Sequence, residues 1–169
     1  MGIYHFIAIG GIGMSGLAKY LLEDGHTVSG SDIADSKYIA KLRELGAKVT
    51  IGHSAENVPE GAIVVVSTAI RETNPELLRA KELGLNIYHR SDMLKEISQM
   101  AQKDGKTFIG FSGTHGKTTT TSMISCCFLE AHKDPSIQVG AFLKPLNGNY
   151  RVGNSEHFII EACEYVESF

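Results

Sequence analysis

A chain of 169 residues, 43% of them hydrophobic and 21% charged, has the composition of an ordinary globular protein and the length for one core, or for one domain and part of another. The formal net charge of −3 gives no electrostatic footprint for nucleic acid, and no apolar window is long enough to span a bilayer. Ile3 to Ile9 lacks a signal peptide's basic leader, Phe6 breaks a myristoylation motif, and Cys126, Cys127 and Cys163 have neither disulfide nor zinc spacing, so a cytoplasmic protein with reduced thiols is expected.

Tyr4–Ile9 reads as a strand, and Met14–Glu23 as a helix with Met14, Leu17, Ala18, Leu21 and Leu22 on one side. Thr27–Ser29 is a short strand, Lys37–Leu45 a helix, Lys48–Ile51 a strand and Ile63–Val66 a buried strand. Pro75 suits the first turn of a helix to Leu83, Asn86–Tyr88 is a short strand, and Ser91-Asp92 can cap a helix from Met93 to Ala101. This alternation predicts a Rossmann-like, doubly wound parallel sheet covered on both faces. The polar stretch Gln102-Lys103-Asp104-Gly105-Lys106 reads as a linker and divides the chain into domains at 1–103 and 104–169. Thr107–Phe111 is then a strand, Thr118–Ala131 a helix, and His157–Ile160 a buried strand ending at Glu161. Pro135, Pro145 and Asn147-Gly148-Asn149 mark loops around short extended pieces. About 65 residues follow the linker, fewer than P-loop domains usually need, so an incomplete start of a P-loop-type α/β ATPase domain is expected. A domain cut short would expose part of its core, which predicts poor order after Thr107 or self-association with another copy.

Gly11-Ile12-Gly13-Met14-Ser15-Gly16 fits G-x-G-x-x-G between a strand and a helix. Glycines allow the tight turn and bring backbone N–H groups close to a diphosphate at the helix N-terminus. Asp32 lies beyond the second strand, where an acid accepts hydrogen bonds from a ribose. NAD and nucleotide-sugar diphosphates present the same pyrophosphate to such a loop. Ser67-Thr68-Ala69-Ile70 follows the fourth strand at its carboxyl end, either as a contact to base or ribose or as a plain turn. His53 is either a surface histidine or a ligand contact, and Arg90, beside His89, pairs with a phosphate or with Asp92.

The second glycine loop is Gly113-Thr114-His115-Gly116-Lys117-Thr118-Thr119. A strict Walker pattern needs glycine at 111, where this chain has Phe111, but the shorter G-T-x-G-K-T carries the same chemistry. Backbone N–H groups of Gly113 to Lys117 would wrap the phosphates of ATP, the Lys117 ammonium would neutralise them, and the Thr118 hydroxyl can ligate Mg²⁺. Magnesium usually wants a carboxylate as well. Glu161 ends the next apolar strand and is the best candidate; Glu164 and Glu167 read as solvated. His115 either contacts a substrate or fills a tolerant position.

Taken together, His5 to Ala18, Ser67-Thr68-Ala69-Ile70, Gly113 to Thr120 and Glu161-Ala162-Cys163-Glu164-Tyr165 resemble the Mur ligases of peptidoglycan synthesis, over essentially the whole chain. Many relatives read Glu-Ala-Asp-Glu where this chain has Cys163. The resemblance implies three domains, for a UDP-sugar, for ATP and for closure, of which this chain is the front part and is expected to be inactive alone. It implies that Gly11, Ile12, Gly13, Met14, Asp32, Ser67, Thr68 and Ala69 bind the UDP-sugar. By the same token Gly113 to Thr119 bind ATP with Lys117 catalytic, and Thr118 and Glu161 hold Mg²⁺. The implied reaction joins L-alanine to UDP-N-acetylmuramate through an acyl phosphate. Two alternatives are a ligase of the same family that adds a whole tripeptide in wall recycling, and a NAD-binding regulatory or redox module, which leaves Gly113–Thr119 without a role.

Overall fold

The computed structural model describes residues 1–103 and 105–161; Asp104 and the sequence candidates Cys163, Glu164 and Glu167 lie outside the described residues. The chain forms two compact units, Met1–Met93 and a second from Leu94 onward.

The first unit is built on β1 (Ile3–Ile7), α1 (Ile12–Glu23), β2 (Thr27–Asp32), α2 (Lys37–Glu44), β3 (Lys48–Ile51), β4 (Ile63–Val66), α3 (Pro75–Glu82) and β5 (Ile87–His89). Its five strands lie in the order β3-β2-β1-β4-β5, and every pairing is parallel, as the alternation predicts. The central strands show why: Val64, Val65 and Val66 are all buried, the continuous apolar run of a strand covered on both faces. Ile7, Val64, Val58, Leu77 and Ala80 form one core cluster beneath α3. The inward stripe of α1, Met14, Leu17, Ala18 and Leu21, is buried as well. Local chemistry sets the helix starts. Ser36 caps α2 through Ile39 N, and Asn74 caps α3 through the N–H groups of Glu76 and Leu77, with Pro75 at the first turn.

Three of the boundaries that differ from expectation have a local cause. β1 stops at Ile7 because Ala8 takes φ +69, and the N–H groups of Ala8 and Ile9 both turn to Ser31 O. β2 runs on to Asp32, paired with β1 and β3. The helix after β5, α4 (Arg90–Lys103), starts before Ser91 and takes in Gln102 and Lys103 of the expected linker. Asp92 lies within its first turn and reaches back to accept from His89 N at 2.9 Å, a cap supplied from inside the helix.

The second unit contains β6 (Thr107–Phe111), α5 (Lys117–Glu130), β7 (Ser136–Leu143), β8 (Gly148–Arg151) and β9 (His157–Glu161). Strand order is β6-β9-β7-β8; β6, β9 and β7 run parallel, and β8 is antiparallel to β7. Where loops and short pieces were expected between Pro135 and Asn149, an eight-residue strand and its hairpin partner stand instead. A 3-10 turn at Lys144–Leu146 and Asn147 at φ +47 reverse the chain between them. Ile137, Val139 and Ile159 make the core, packed by Ile109, Phe111, Ile124 and Phe128.

Candidate functional site

In the first unit α1 opens at Gly11, which offers no side-chain cap, and the helical ladder starts with Ser15 N on Gly11 O at 2.8 Å. The N–H groups of Ile12, Gly13 and Met14 therefore stand at the free positive end of a helix, the geometry that receives a phosphate. Met14's side chain is buried in the core, so its contact to a phosphate would be through its backbone N–H. A Cβ on Gly13 would meet Arg90 Nη1 at 2.7 Å and Cδ at 3.1 Å, so this glycine lets the Arg90 side chain lie against the loop. Ser67, Thr68 and Ala69 follow β4, the neighbour of β1 on the side where the strand order reverses. Ile70 N bonds back to Ser67 O at 3.0 Å, and Thr68 and Ala69 are exposed in that turn.

Asp32 ends β2 with its carboxylate already in use: Oδ2 accepts from Gly10 N at 2.8 Å, and Oδ1 from Ile33 N at 2.8 Å. Beside it lies a polar cluster centred on Glu76, a residue sequence reasoning passed over. Glu76 is fully buried at the second position of α3. Its Oε2 accepts from Ser31 Oγ and stands 3.2 Å from His53 Nδ1 and 3.8 Å from His5 Nε2. Its Oε1 accepts from Asn57 Nδ2 at 2.6 Å and Ser54 N at 3.4 Å. Burial alone would raise this carboxyl's pKa; His5 beside it and the donors from Ser31 and Asn57 outweigh it and hold the group down at about 2.

In the second unit the loop after β6 turns through Gly113 at φ +151 and Gly116 at φ +76, backbone that favours glycine, and delivers Lys117 to the first turn of α5. Lys117 Nζ donates to Gly113 O, which folds the ammonium across the mouth of the loop. Parallel pairing sets Glu161 opposite Phe111, the last residue of β6. Thr118 Oγ1 then donates to Glu161 Oε1 at 2.7 Å, so the two expected metal ligands do come together. Glu161 Oε2 accepts from Gly140 N at 2.6 Å. Gly140 was not foreseen; a Cβ there would meet both carboxylate oxygens at 2.8 and 2.9 Å, so only glycine lets the carboxylate rest on that N–H. A hydroxyl and a carboxylate side by side are hard oxygen donors, a set that fits Mg²⁺. Among the described residues no cluster of three or more His, Cys, Asp or Glu could hold a metal.

Parallel α/β architecture with two glycine loops, each leading from a strand into a helix, defines a class: proteins built to hold phosphorylated ligands at helix N-termini. The chain belongs to the Mur ligase family, whose model, described as the Mur ligase family catalytic domain, matches residues 3–102. It is 50% identical over 165 residues to UDP-N-acetylmuramate–L-alanine ligase of Acetivibrio thermocellus, covering 98% of this chain and 34% of that protein. The enzyme of the same name from Clostridium perfringens is 51% identical, with 98% and 35% covered. Among solved structures, UDP-N-acetylmuramate-alanine ligase MurC from Thermotoga maritima matches with a TM-score of 0.82 at 33% identity, over 95% of this chain and 37% of that one. The ligase MPL from Neisseria meningitides, which joins L-alanyl-γ-D-glutamyl-meso-diaminopimelate to UDP-N-acetylmuramate, also gives 0.82, at 29% identity and over 98% and 53%. The chain thus spans about a third of the length of the curated relatives it matches.

Proposed function

We propose that this chain carries the UDP-sugar unit and the ATP loop of a cytoplasmic ligase that joins L-alanine to UDP-N-acetylmuramate. The observation that carries the reading is the meeting of Thr118 and Glu161 at the mouth of the Lys117 loop, in a chain about half identical to L-alanine ligases. ATP would phosphorylate the lactyl carboxylate, and the amine of L-alanine would attack the acyl phosphate, releasing phosphate. Chemistry of this kind asks the protein for positioning and charge neutralisation.

Each residue then has a defined task. Gly113 to Lys117 present backbone N–H groups to the phosphates, and the Lys117 ammonium leaves Gly113 O to neutralise the transferring group. Thr118 and Glu161 would hold Mg²⁺, with Gly140 N fixing the carboxylate from behind. When bound, Mg²⁺ offsets negative charge on the phosphate oxygens. In the first unit Ile12, Gly13 and Met14 N–H groups would receive the sugar nucleotide's diphosphate, with Asp32, Ser67, Thr68 and Ala69 around it.

Thermal shift tests the reading. UDP-N-acetylmuramate at 100 times its Kd should stabilise the unit by about 2.7 kcal/mol, and Mg·ATP should act separately. Stabilisation by NAD in place of UDP-N-acetylmuramate would return the chain to the redox reading. The tripeptide ligase shares the fold at an equal TM-score, and the identity of about one half lies with L-alanine enzymes. Competition between L-alanine and the tripeptide, in an assay of the full-length ligase, separates the two.

A further inference from the structure

The Glu76 cluster contains more than a buried carboxylate needs, and its geometry decides which His53 nitrogen facing it carries a proton. Ser31 Oγ donates its single proton to Glu76 Oε2 and lies 2.8 Å from His53 Nδ1. That same nitrogen stands 3.2 Å from Glu76 Oε2. An unprotonated Nδ1 would set its lone pair against both a carboxylate and a hydroxyl oxygen whose proton is spent. Nδ1 therefore carries the proton and donates into Ser31 and Glu76. Neutral His53 is then left with its lone pair on Nε2, the tautomer chosen by its hydrogen-bond partners.

The remaining partners hold the carboxylate from every side. His5 comes from β1, Ser31 from β2, and Ser54 and Asn57 from the segment after β3. Ser29 Oγ lies 2.9 Å from His5 Nδ1, so His5 can turn an Nε2–H toward Glu76. His53 reaches the surface, its side chain 14% exposed, as do the partly exposed Ser54 and Asn57. Its Nε2 has no hydrogen-bond partner among the described residues. It follows Gly52, whose N–H bonds Asp32 O at 2.8 Å, so His53 and Asp32 share the carboxyl edge of β2 and β3. That edge adjoins the Gly11 loop, and Asp32 has both oxygens tied to backbone N–H groups.

We propose that His53 binds the nucleoside portion of a nucleoside-diphosphate ligand, its Nε2 accepting from a ribose hydroxyl or the imide N–H of uracil, and that buried Glu76 is the positioning residue that fixes this tautomer. The proposal rests on the reading of the first unit as a UDP-sugar site. Unlike the alternative, a histidine merely satisfying a buried acid, it requires a directed lone pair at the ligand edge.

The test is ¹⁵N NMR of the histidine side chains in this whole chain, titrated with UDP. In its neutral form His53 should show protonated Nδ1 and bare Nε2, and its Nε2 resonance should move as UDP binds. H53A should weaken UDP by about 3- to 10-fold, the worth of one neutral hydrogen bond. E76Q should mix the tautomers and cost a similar factor, yet add nothing in the H53A background, because it acts only through that ring. Where E76Q does not fold, S31A with the wild-type tautomer reading serves the same end. An Nε2–H tautomer in the wild type overturns the proposal. So does UDP binding that shifts the Ile12–Met14 amides while His53 stays still and H53A binds normally. Absence of any UDP binding overturns the sugar-nucleotide reading and the ligand role of His53 with it, while leaving the tautomer as measured.

Discussion

Gly140 is the residue at which one methyl group would displace a functional carboxylate. Alanine there puts a Cβ within 3.0 Å of Glu161 Oε1, Oε2 and Cδ, and no lateral room is left because Gly140 N is itself the carboxylate's donor. G140A should therefore weaken Mg·ATP by about tenfold or more, the cost of a misplaced charged hydrogen bond. Calorimetric titration checks it, with UDP affinity expected unchanged; equal Mg·ATP affinity in G140A would remove Gly140 from the site. Glu76 makes a pH prediction. Its pKa falls from an ordinary 4.5 to about 2 on folding, so its stabilisation is complete above the unfolded value and is lost as pH drops toward 2. The depression corresponds to about 3 kcal/mol. Exposed Asp35, Glu72 and Asp134 also have lowered pKa values through Arg43, through Lys81, and through Asn154 with Arg151, so wild type alone does not isolate Glu76. Urea unfolding between pH 6 and 3 should show E76Q losing less stability than wild type by about 2 kcal/mol, the part of that depression released by pH 3; identical pH dependence in both proteins would assign the acid sensitivity elsewhere. Neither residue was legible in the sequence. An acid in the first turn of a proline-started helix reads as solvated, and only partners distant in sequence, Ser31 at 45 residues and Asn57 at 19 among them, make it a buried one. Gly140 looks like a break in an apolar run until Glu161 is folded against it.

Elements were readable where one physical signal dominated. The β4 run of Ile63, Val64, Val65 and Val66 has no polar residue to break it, and α3 carries both its cap and its proline in the sequence. β7 was not readable, because its alternation is confined to Ile137-Gln138-Val139 before Gly140, and Pro135 and Pro145 flank it. Its length comes from pairing with β9 on one side and β8 on the other. The start of α4 was misplaced for a related reason: Asp92 has the chemistry of a cap but exerts it from within the helix, on His89 N. The cap of α3 gives an element-scale test. Asn74 Oδ1 accepts from the N–H groups of Glu76 and Leu77 at 2.9 and 3.2 Å. N74A should lower stability by about 1 kcal/mol, and N74D should retain most of it, since aspartate caps equally well. Chemical denaturation decides; loss of stability in N74D equal to that in N74A would mean that the Oδ1 acceptor is not what holds the helix start there.

At the scale of the whole molecule the two glycine loops belong to different compact units, Gly11 with Met1–Met93 and Gly113 with the unit from Leu94 onward. Both were visible in the sequence because each must spend glycines on backbone that approaches a phosphate, and that requirement leaves little freedom of spacing. Their separation makes Lys117 a clean probe. Its ammonium contacts Gly113 O within its own loop, and it follows Gly116 at the exposed start of α5, so removing it opens no core cavity. K117A should keep the stability of the chain within about 0.5 kcal/mol, as surface substitutions do. Its Mg·ATP affinity should fall by about 10- to 100-fold, the range of a lost charge-assisted hydrogen bond. UDP-N-acetylmuramate should bind K117A as it binds wild type, since its diphosphate would rest on Ile12, Gly13 and Met14 N–H groups instead. Parallel titrations of the two ligands into wild type and K117A separate these outcomes. Weakening of both ligands together would mean that one nucleotide site serves the whole chain, and the assignment of two phosphate-binding loops to two ligands would fall.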